Sequence, residues 1–396
     1  MCDTLCAIGA GRTLFGKNSD RPVAEAQVAE VHRGRAGGGR LRTTHLDLGD
    51  AGAARLLGSR PTWMWGLEHG INEHRVAIGN EKLYTVDDPH AAEPGLLGMD
   101  LVRLGLERGR SADEALAHMT ELLERHGQGG SGEADHDEPY FSSFLVADPT
   151  SAWVLETSAR TWGARQVEDG AAISNRITLG ADWTRASSDV APGTDFDEWR
   201  DPGAPTGIAD HRLAATRRCV ATGAAALTPA DVVATLRHHG DRPWGAPGGD
   251  PSDVSPPPTD VHDDWTGVTV CMHVRDYQVT NASMVAELPE DDGTPLRAWI
   301  ALGSPCASIY VPTFPPTGVP PGLGDAATWS RFAALRDRVE GERGDDELAE
   351  IRSILGPLES ELWEHADAVA GDPSSREAFV ASAWDRLEPA LEKLSV

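Results

Sequence analysis

The sequence predicts an α+β protein, on three observations. Residues 2–18 have the form of an apolar β-hairpin, residues 97–126 place apolar side chains at helical spacing, and residues 140–175 hold four short strand-like runs separated by turn residues. At 396 residues the chain is long enough to bury a large core.

In the hairpin, residues 2–8 and 13–18 are apolar and β-branched, and Gly9-Ala10-Gly11 supplies the positive-φ positions of a tight reversal. A turn centred on Ala10 sets Cys2 beside Asn18, with Lys17 and Asp20 close by, and leaves a one-residue slip open. A small side chain after the initiator methionine normally permits its removal, which would give Cys2 both a thiol and a free amine. A thiol of reference pKa about 8.5, next to an amine of about 8 and the Lys17 cation, is expected to reach the thiolate without a histidine. The competing reading is an ordinary strand whose second residue is cysteine. Cys6 is internal, lacks an amine and reads as a small buried hydrophobe.

Residues 23–62 alternate short strands, such as 28–31, with Gly- and Arg-rich connections, and Trp63 and Trp65 read as core or pocket wall. Residues 76–80 form a strand that delivers Asn80 at its end. Leu97, Leu101 and Leu104 share a helical face; Ser111 to Glu114 is a capping box for a second helix that Gly127 ends. Residues 127–138 read as an acidic loop in which His136 is solvated and not a metal ligand. Strands are expected at 141–147, 152–157, 161–167 and 171–175 as one meander, ending on Asn175.

Residues 186–209 carry no period. Residues 211–226 are helical, with Arg212, Arg217 and Arg218 on the helix, where an exposed position is the plainer reading. Thr228-Pro229 caps the next helix. Residues 240–264 read as a long loop, whose His262-Asp263-Asp264 lacks further ligands. Strands resume at 267–274, 283–288, 298–302 and 308–311, with Cys271 and Cys306 as core thiols. From residue 326 the pattern is helical, and the amphipathic helix over 376–394 would cover the main domain or form a contact in a homo-oligomer.

The formal charge of −27 arises from 62 acidic against 35 basic residues and argues against nucleic-acid and membrane partners. Lysine occurs only at positions 17, 82 and 393. Acid enrichment with lysine depletion is the composition of a protein solvated in concentrated salt, although a GC-rich genome also favours arginine over lysine. Five irregularly spaced cysteines form no disulfide framework, and no CxxC pair suggests zinc. With no signal sequence and no apolar run approaching about 18 residues, cytoplasmic residence is expected.

Cys2-Asp3-Thr4-Leu5 followed by Phe15-Gly16-Lys17-Asn18-Ser19-Asp20-Arg21-Pro22 resembles the opening of the secernin-like dipeptidases, a branch of the N-terminal-nucleophile hydrolases related to penicillin V acylase and choloylglycine (bile-salt) hydrolase. The segments Trp65-Gly66-Leu67-Glu68-His69-Gly70-Ile71-Asn72-Glu73, Ala77-Ile78-Gly79-Asn80-Glu81, Asp100-Leu101-Val102-Arg103-Leu104, Ala152-Trp153-Val154-Leu155-Glu156-Thr157, Ile173-Ser174-Asn175, Val270-Cys271-Met272-His273 and Ser304-Pro305-Cys306 resemble that family in its order, over roughly residues 1–315.

The resemblance implies an αββα four-layer sandwich over residues 1–320 with a helical extension over 321–396; the strand and helix pattern alone leaves other α+β folds open. It implies amide hydrolysis of a short peptide through a thioester on Cys2. Asn80 and Asn175 would stabilise the oxyanion, with Glu81 and Lys82 as alternatives to Asn80, and Lys17 and Asp20 would position the amine and thiolate. Arg212 matches an active-site arginine on a comparable helix. Lys17 stands where the acylases carry arginine, which leaves its role open. No metal or organic cofactor is required. An acylase of a non-peptide amide and a catalytically silent scaffold are the alternatives.

Self-repulsion among the excess carboxylates should be screened as the Debye length falls from about 10 Å at 0.1 M to about 3 Å at 1 M salt. The melting temperature is expected to rise between those conditions, and an unchanged thermal melt would contradict this.

Overall fold

A computed structural model describes residues 1–204, 206–240, 267–274 and 277–396. The loop expected beyond Gly240, with His262-Asp263-Asp264, lies outside the described residues. Two large antiparallel sheets dominate. The first is built from β1 (Cys2–Gly9), β2 (Arg12–Arg21), β12 (Gly170–Ile173), β14 (His273–Val274), β15 (Gln278–Pro289), β16 (Arg297–Leu302) and β17 (Val311–Thr313), in the order β12-β1-β2-β15-β16-β17 with β14 also on β15. The second holds β3 (Gln27–His32), β6 (Leu56–Pro61), β7 (His69–Asn72), β8 (Ala77–Leu83), β9 (Phe141–Ala147), β10 (Ala152–Ser158), β11 (Thr161–Val167) and β13 (Arg185–Ala186), in the order β13-β11-β10-β9-β8-β7-β6-β3. A small ribbon pairs β4 (Arg40–Arg42) with β5 (Asp47–Gly49).

Strand alternation sorts the side chains into layers. Cys6, Phe15, Met284 and Ile300 of the first sheet share a core with Leu57, Ile71, Leu145 and Val154 of the second. Their chain neighbours point outward. Ile78, Phe144 and Leu155 pack on α1 (Gly98–Arg108) and α2 (Ala112–His126), whereas Leu5, Leu14 and Val285 pack on α3 (Asp210–Ala221) and α4 (Pro229–Leu236). The result is an αββα sandwich. Helices α5 (Ala326–Val339), α6 (Gly344–Val369) and α7 (Pro373–Lys393) extend the inner core through Phe332, Leu335, Leu355, Leu362 and Phe379, with α5 against β3 and α6 and α7 against β17. Among the described residues no helix is long and apolar enough to cross a membrane.

Local chemistry explains several boundaries. The Ser111 hydroxyl accepts from the Glu114 N–H at the start of α2, and Gly127, at φ +76°, ends it. Thr228 and Asp231 form a reciprocal capping box on α4. Helix α3 stops at Ala221, earlier than the expected 226, because Gly223 adopts φ +82° and turns the chain. Strand formation in 267–274 is confined to β14, and the expected strand over 308–311 starts only at Val311.

Two corrections shape the site. Ala10 and Gly11 both have positive φ, 54° and 75°, so the hairpin turn has two central residues and pairs Gly9 with Arg12. Cys2 therefore lies opposite Ser19, one residue beyond the expected Asn18. The second correction concerns the meander: β12 leaves β11 and crosses to the other sheet, pairing Thr4 with Ile173 and Ala7 with Gly170. The Ile8 N–H donates to the Asp169 carbonyl at 2.7 Å, and a Cβ on Gly170 would lie 2.6 Å from the Cys6 carbonyl oxygen, so glycine permits the approach. This crossing carries Asn175 to Cys2.

Candidate active site

The one-residue register change decides which side chains meet. Cys2 pairs with Ser19 and Thr4 with Lys17, so Cys2, Thr4 and Lys17 face the second sheet. Asp3 and Asp20 fall on the opposite face, toward α3.

On the inner face, the Cys2 Sγ lies 3.9 Å from a carboxylate oxygen of Glu68, which precedes β7. The Lys17 ammonium sits 3.8 Å from Glu68 and 3.8 Å from Glu81 and donates to the Asn80 carbonyl. Thr4 donates its hydroxyl to Glu81, and Arg21 stands 3.4 Å from the other oxygen of Glu68. On the outer face, Arg212 is fully buried, which removes the exposed-helix reading. Its guanidinium donates to Asp3 at 2.6 Å, Asp20 at 3.4 Å, the Cys2 carbonyl at 3.3 Å and the Asn175 Oδ1 at 2.6 Å. Thr280 donates to Asp20 at 2.6 Å from β15, where a bulge between Thr280 and Ala282 sets the pairing.

Cys2, Lys17, Asp20, Asn80, Asn175 and Arg212 thus come together, but two stand differently from expectation. Asn175 Oδ1 accepts from the Cys2 backbone N–H at 2.9 Å, and its amide nitrogen donates to the Lys82 carbonyl at 2.9 Å. It holds the nitrogen of Cys2 and turns an amide proton away toward Lys82, a placement for positioning an amine. Asn80 has its amide nitrogen 3.4 Å from the Met99 sulfur, a weak acceptor, and its Oδ1 has no hydrogen-bond partner among the described residues. It lines a cavity with Cys2, Glu68, Tyr140 and Gln278. Glu68 escaped assignment from the sequence, although it lies within the family-like 65–73 segment. Gln278, which accepts from the Met1 amine, had no sequence signal.

Burial governs the electrostatics. It pushes the Cys2 thiol up, with Lys17 opposing and Glu68 assisting, so the expected thiolate gives way to a neutral thiol. It pushes the Met1 amine down. Burial works to lower Lys17, but the acidic groups packed around its ammonium outweigh it and hold it above its ordinary value. Cys6, in the inter-sheet core, is raised to about 12 by burial and is inert.

These features define a class of architecture, an αββα sandwich that buries a thiol and a chain-terminal amine at one end of its central hairpin. No protein-family model matches the sequence. Among solved structures, the chain is similar to penicillin V acylase from Agrobacterium tumefaciens, at 12% identity and TM-score 0.43, covering 79% of this chain and 86% of that one. It is also similar to a C2A mutant of conjugated bile acid hydrolase from Clostridium perfringens, at 10% identity and TM-score 0.42, covering 75% and 88%. A third is the Caenorhabditis elegans ortholog of N-acylethanolamine-hydrolyzing acid amidase, at 11% identity and TM-score 0.39, covering 74% and 94%.

Burial raises the Glu81 carboxyl from 4.5 to about 8, against Lys17 and the Thr4 hydroxyl and with Asp3 and Glu68 adding to the rise. It raises Asp20 from 3.8 to about 6, opposed by the terminal amine and Arg212. Because each folded pKa exceeds the unfolded one, the associated stability is complete below the unfolded value and is lost as pH rises through the folded value. Thermal stability is expected to fall from pH 5 to pH 8, and Glu81→Gln should flatten the upper part of that slope. An unchanged slope in the variant would remove Glu81 as its source.

Proposed function

We propose that this protein is a cysteine-dependent amide hydrolase of the N-terminal-nucleophile type, cutting short peptides as a dipeptidase after removal of Met1. The observation that carries the reading is the hold on Cys2: Asn175 Oδ1 already accepts from its nitrogen while its thiol faces the cavity lined by Glu68 and Asn80. Once Met1 is gone, that nitrogen is a primary amine. The burial that keeps the thiol protonated also favours the neutral amine, a pair ready for proton transfer.

The amine takes the thiol proton as sulfur attacks the amide carbonyl, forming an S–C bond. The carbonyl oxygen becomes an oxyanion, which Asn80 is free to meet by leaving its weak sulfur contact. Collapse breaks the C–N bond, and the ammonium returns its proton to the departing amine. Water then cleaves the thioester with the same amine as base, restoring the thiol. Lys17 and Arg212 hold the inner and outer faces of the hairpin in register during these steps.

The cavity wall favours a peptide over an apolar amide. Arg21, Lys82, Glu68 and Glu133 line it with charges of both signs, which the two charged ends of a dipeptide would meet by exchanging with the present partners, Glu25 at Arg21 and Glu138 at Lys82. One observation favours an acylase as second reading: the Met1 side chain lies among Ile208, Ala209, Val268 and Met272, an apolar bed that its removal would vacate.

Intact mass is expected to show loss of one methionine. With Met1 gone, the cavity opened and the Cys2 amine able to take the thiol proton, alkylation at neutral pH should label Cys2 ahead of Cys6, Cys219, Cys271 and Cys306, and a silent scaffold would lack this preference. Cys2→Ala should abolish turnover of free dipeptides and Cys6→Ala should leave it nearly intact, while Asn80→Ala should lower kcat on the order of 10²–10³-fold. Turnover by chain that keeps Met1 would overturn the mechanism, and turnover of acylated amines in place of dipeptides would select the acylase.

A further inference from the structure

A second cluster of reactive side chains lies apart from the candidate active site. His239 follows α4, Cys271 and His273 flank Met272 at β14, and Cys306 occupies the turn after β16. All four are buried, and one donor atom from each lies within 4.8 Å of every other. The Sγ atoms of Cys271 and Cys306 each stand 3.4 Å from His273 Nε2.

The two sulfur–nitrogen separations match those of a tetrahedral zinc ion. With Zn–S of about 2.3 Å and Zn–N of about 2.0 Å, adjacent sulfur and nitrogen ligands sit about 3.5 Å apart. The far side of the ring agrees: His273 Nδ1 lies 2.7 Å from the Glu340 carboxylate at the end of α5, the partner that fixes a ligating imidazole with Nε2 toward its metal. Packing alone explains one buried thiol. It does not explain two thiols and two imidazoles converging from three separate stretches, one imidazole braced by a buried carboxylate.

We propose that His239, Cys271, His273 and Cys306 bind a zinc ion. Two sulfurs and two nitrogens in tetrahedral array are zinc's donor set, and four protein ligands leave no position for water or substrate, so the ion is structural. It ties the end of α4, the short β14 and the turn after β16 together, and through Glu340 it reaches α5. It also braces the active site at one remove: the Met272 N–H, between two ligands, donates to the Thr280 hydroxyl at 2.9 Å, and that hydroxyl donates to Asp20.

The test uses full-length protein expressed with zinc in the medium. Elemental analysis is expected to find about one zinc per chain. The content should fall at least tenfold in Cys271→Ser and Cys306→Ser and stay unchanged in Cys219→Ser. Should those serine variants fail to fold, wild-type protein stripped with a chelator and titrated with cobalt(II) decides. Tetrahedral d–d bands with thiolate-to-cobalt charge transfer, together with protection of Cys271 and Cys306 from alkylation, support the site. Absence of zinc together with absence of those bands overturns it. So does full zinc content in the Cys271→Ser, Cys306→Ser double variant, or a Cys271–Cys306 disulfide in protein isolated without reductant.

Discussion

The fold around the N-terminus depends on one buried guanidinium. Arg212 leaves α3 and meets Asp3 on β1, Asp20 on β2 and Asn175 just past β12, so a single side chain joins a helix to three strands. A charge in that position costs on the order of several kcal/mol unless paired, and the pairing here uses both aspartates. The Arg212 Nε donates to the Ile208 carbonyl, which anchors the side chain to its own helix. The charge compels the arrangement: remove it and two carboxylates face each other across a dry gap.

Strand alternation divides the work between the two faces of the hairpin. The inner face carries the thiol, with Lys17 and Glu68 as its charged neighbours. The outer face carries the Arg212 network, which touches the Cys2 backbone and leaves the sulfur alone. The thiol and the anchoring network therefore occupy opposite sides of one ribbon, joined through the main chain of Cys2 and the Asn175 side chain.

Features set by neighbours in sequence were legible. The reversal at Gly9-Ala10-Gly11, the Ser111 cap, the Gly127 stop and the Thr228-Pro229 start each follow from one or two residues. The αββα layering was implied by resemblance, and the paired cores on either side of each sheet display it directly. What stayed hidden depends on distant segments. Nothing local to β12 says that it abandons β11 for β1, so the nitrogen-holding role of Asn175 was out of reach. Arg212 looks like any helix arginine until Asp3 and Asp20 are folded against it. Cys271 looked like a core thiol even with His273 two residues on, because His239 and Cys306 lie far from it along the chain and only the fold brings all four together.

Met1 is almost wholly enclosed, 4% exposed, with its amine donating to the Asp20 carbonyl and to Gln278. An aminopeptidase grips an extended, accessible terminus, and the folded chain offers none. The excision that the proposed mechanism requires would therefore belong to the interval of synthesis before β1 is zipped against β2. On that mechanism, a chain that folds first would be sealed with its own methionine as a plug, and folding and processing would compete on the ribosome.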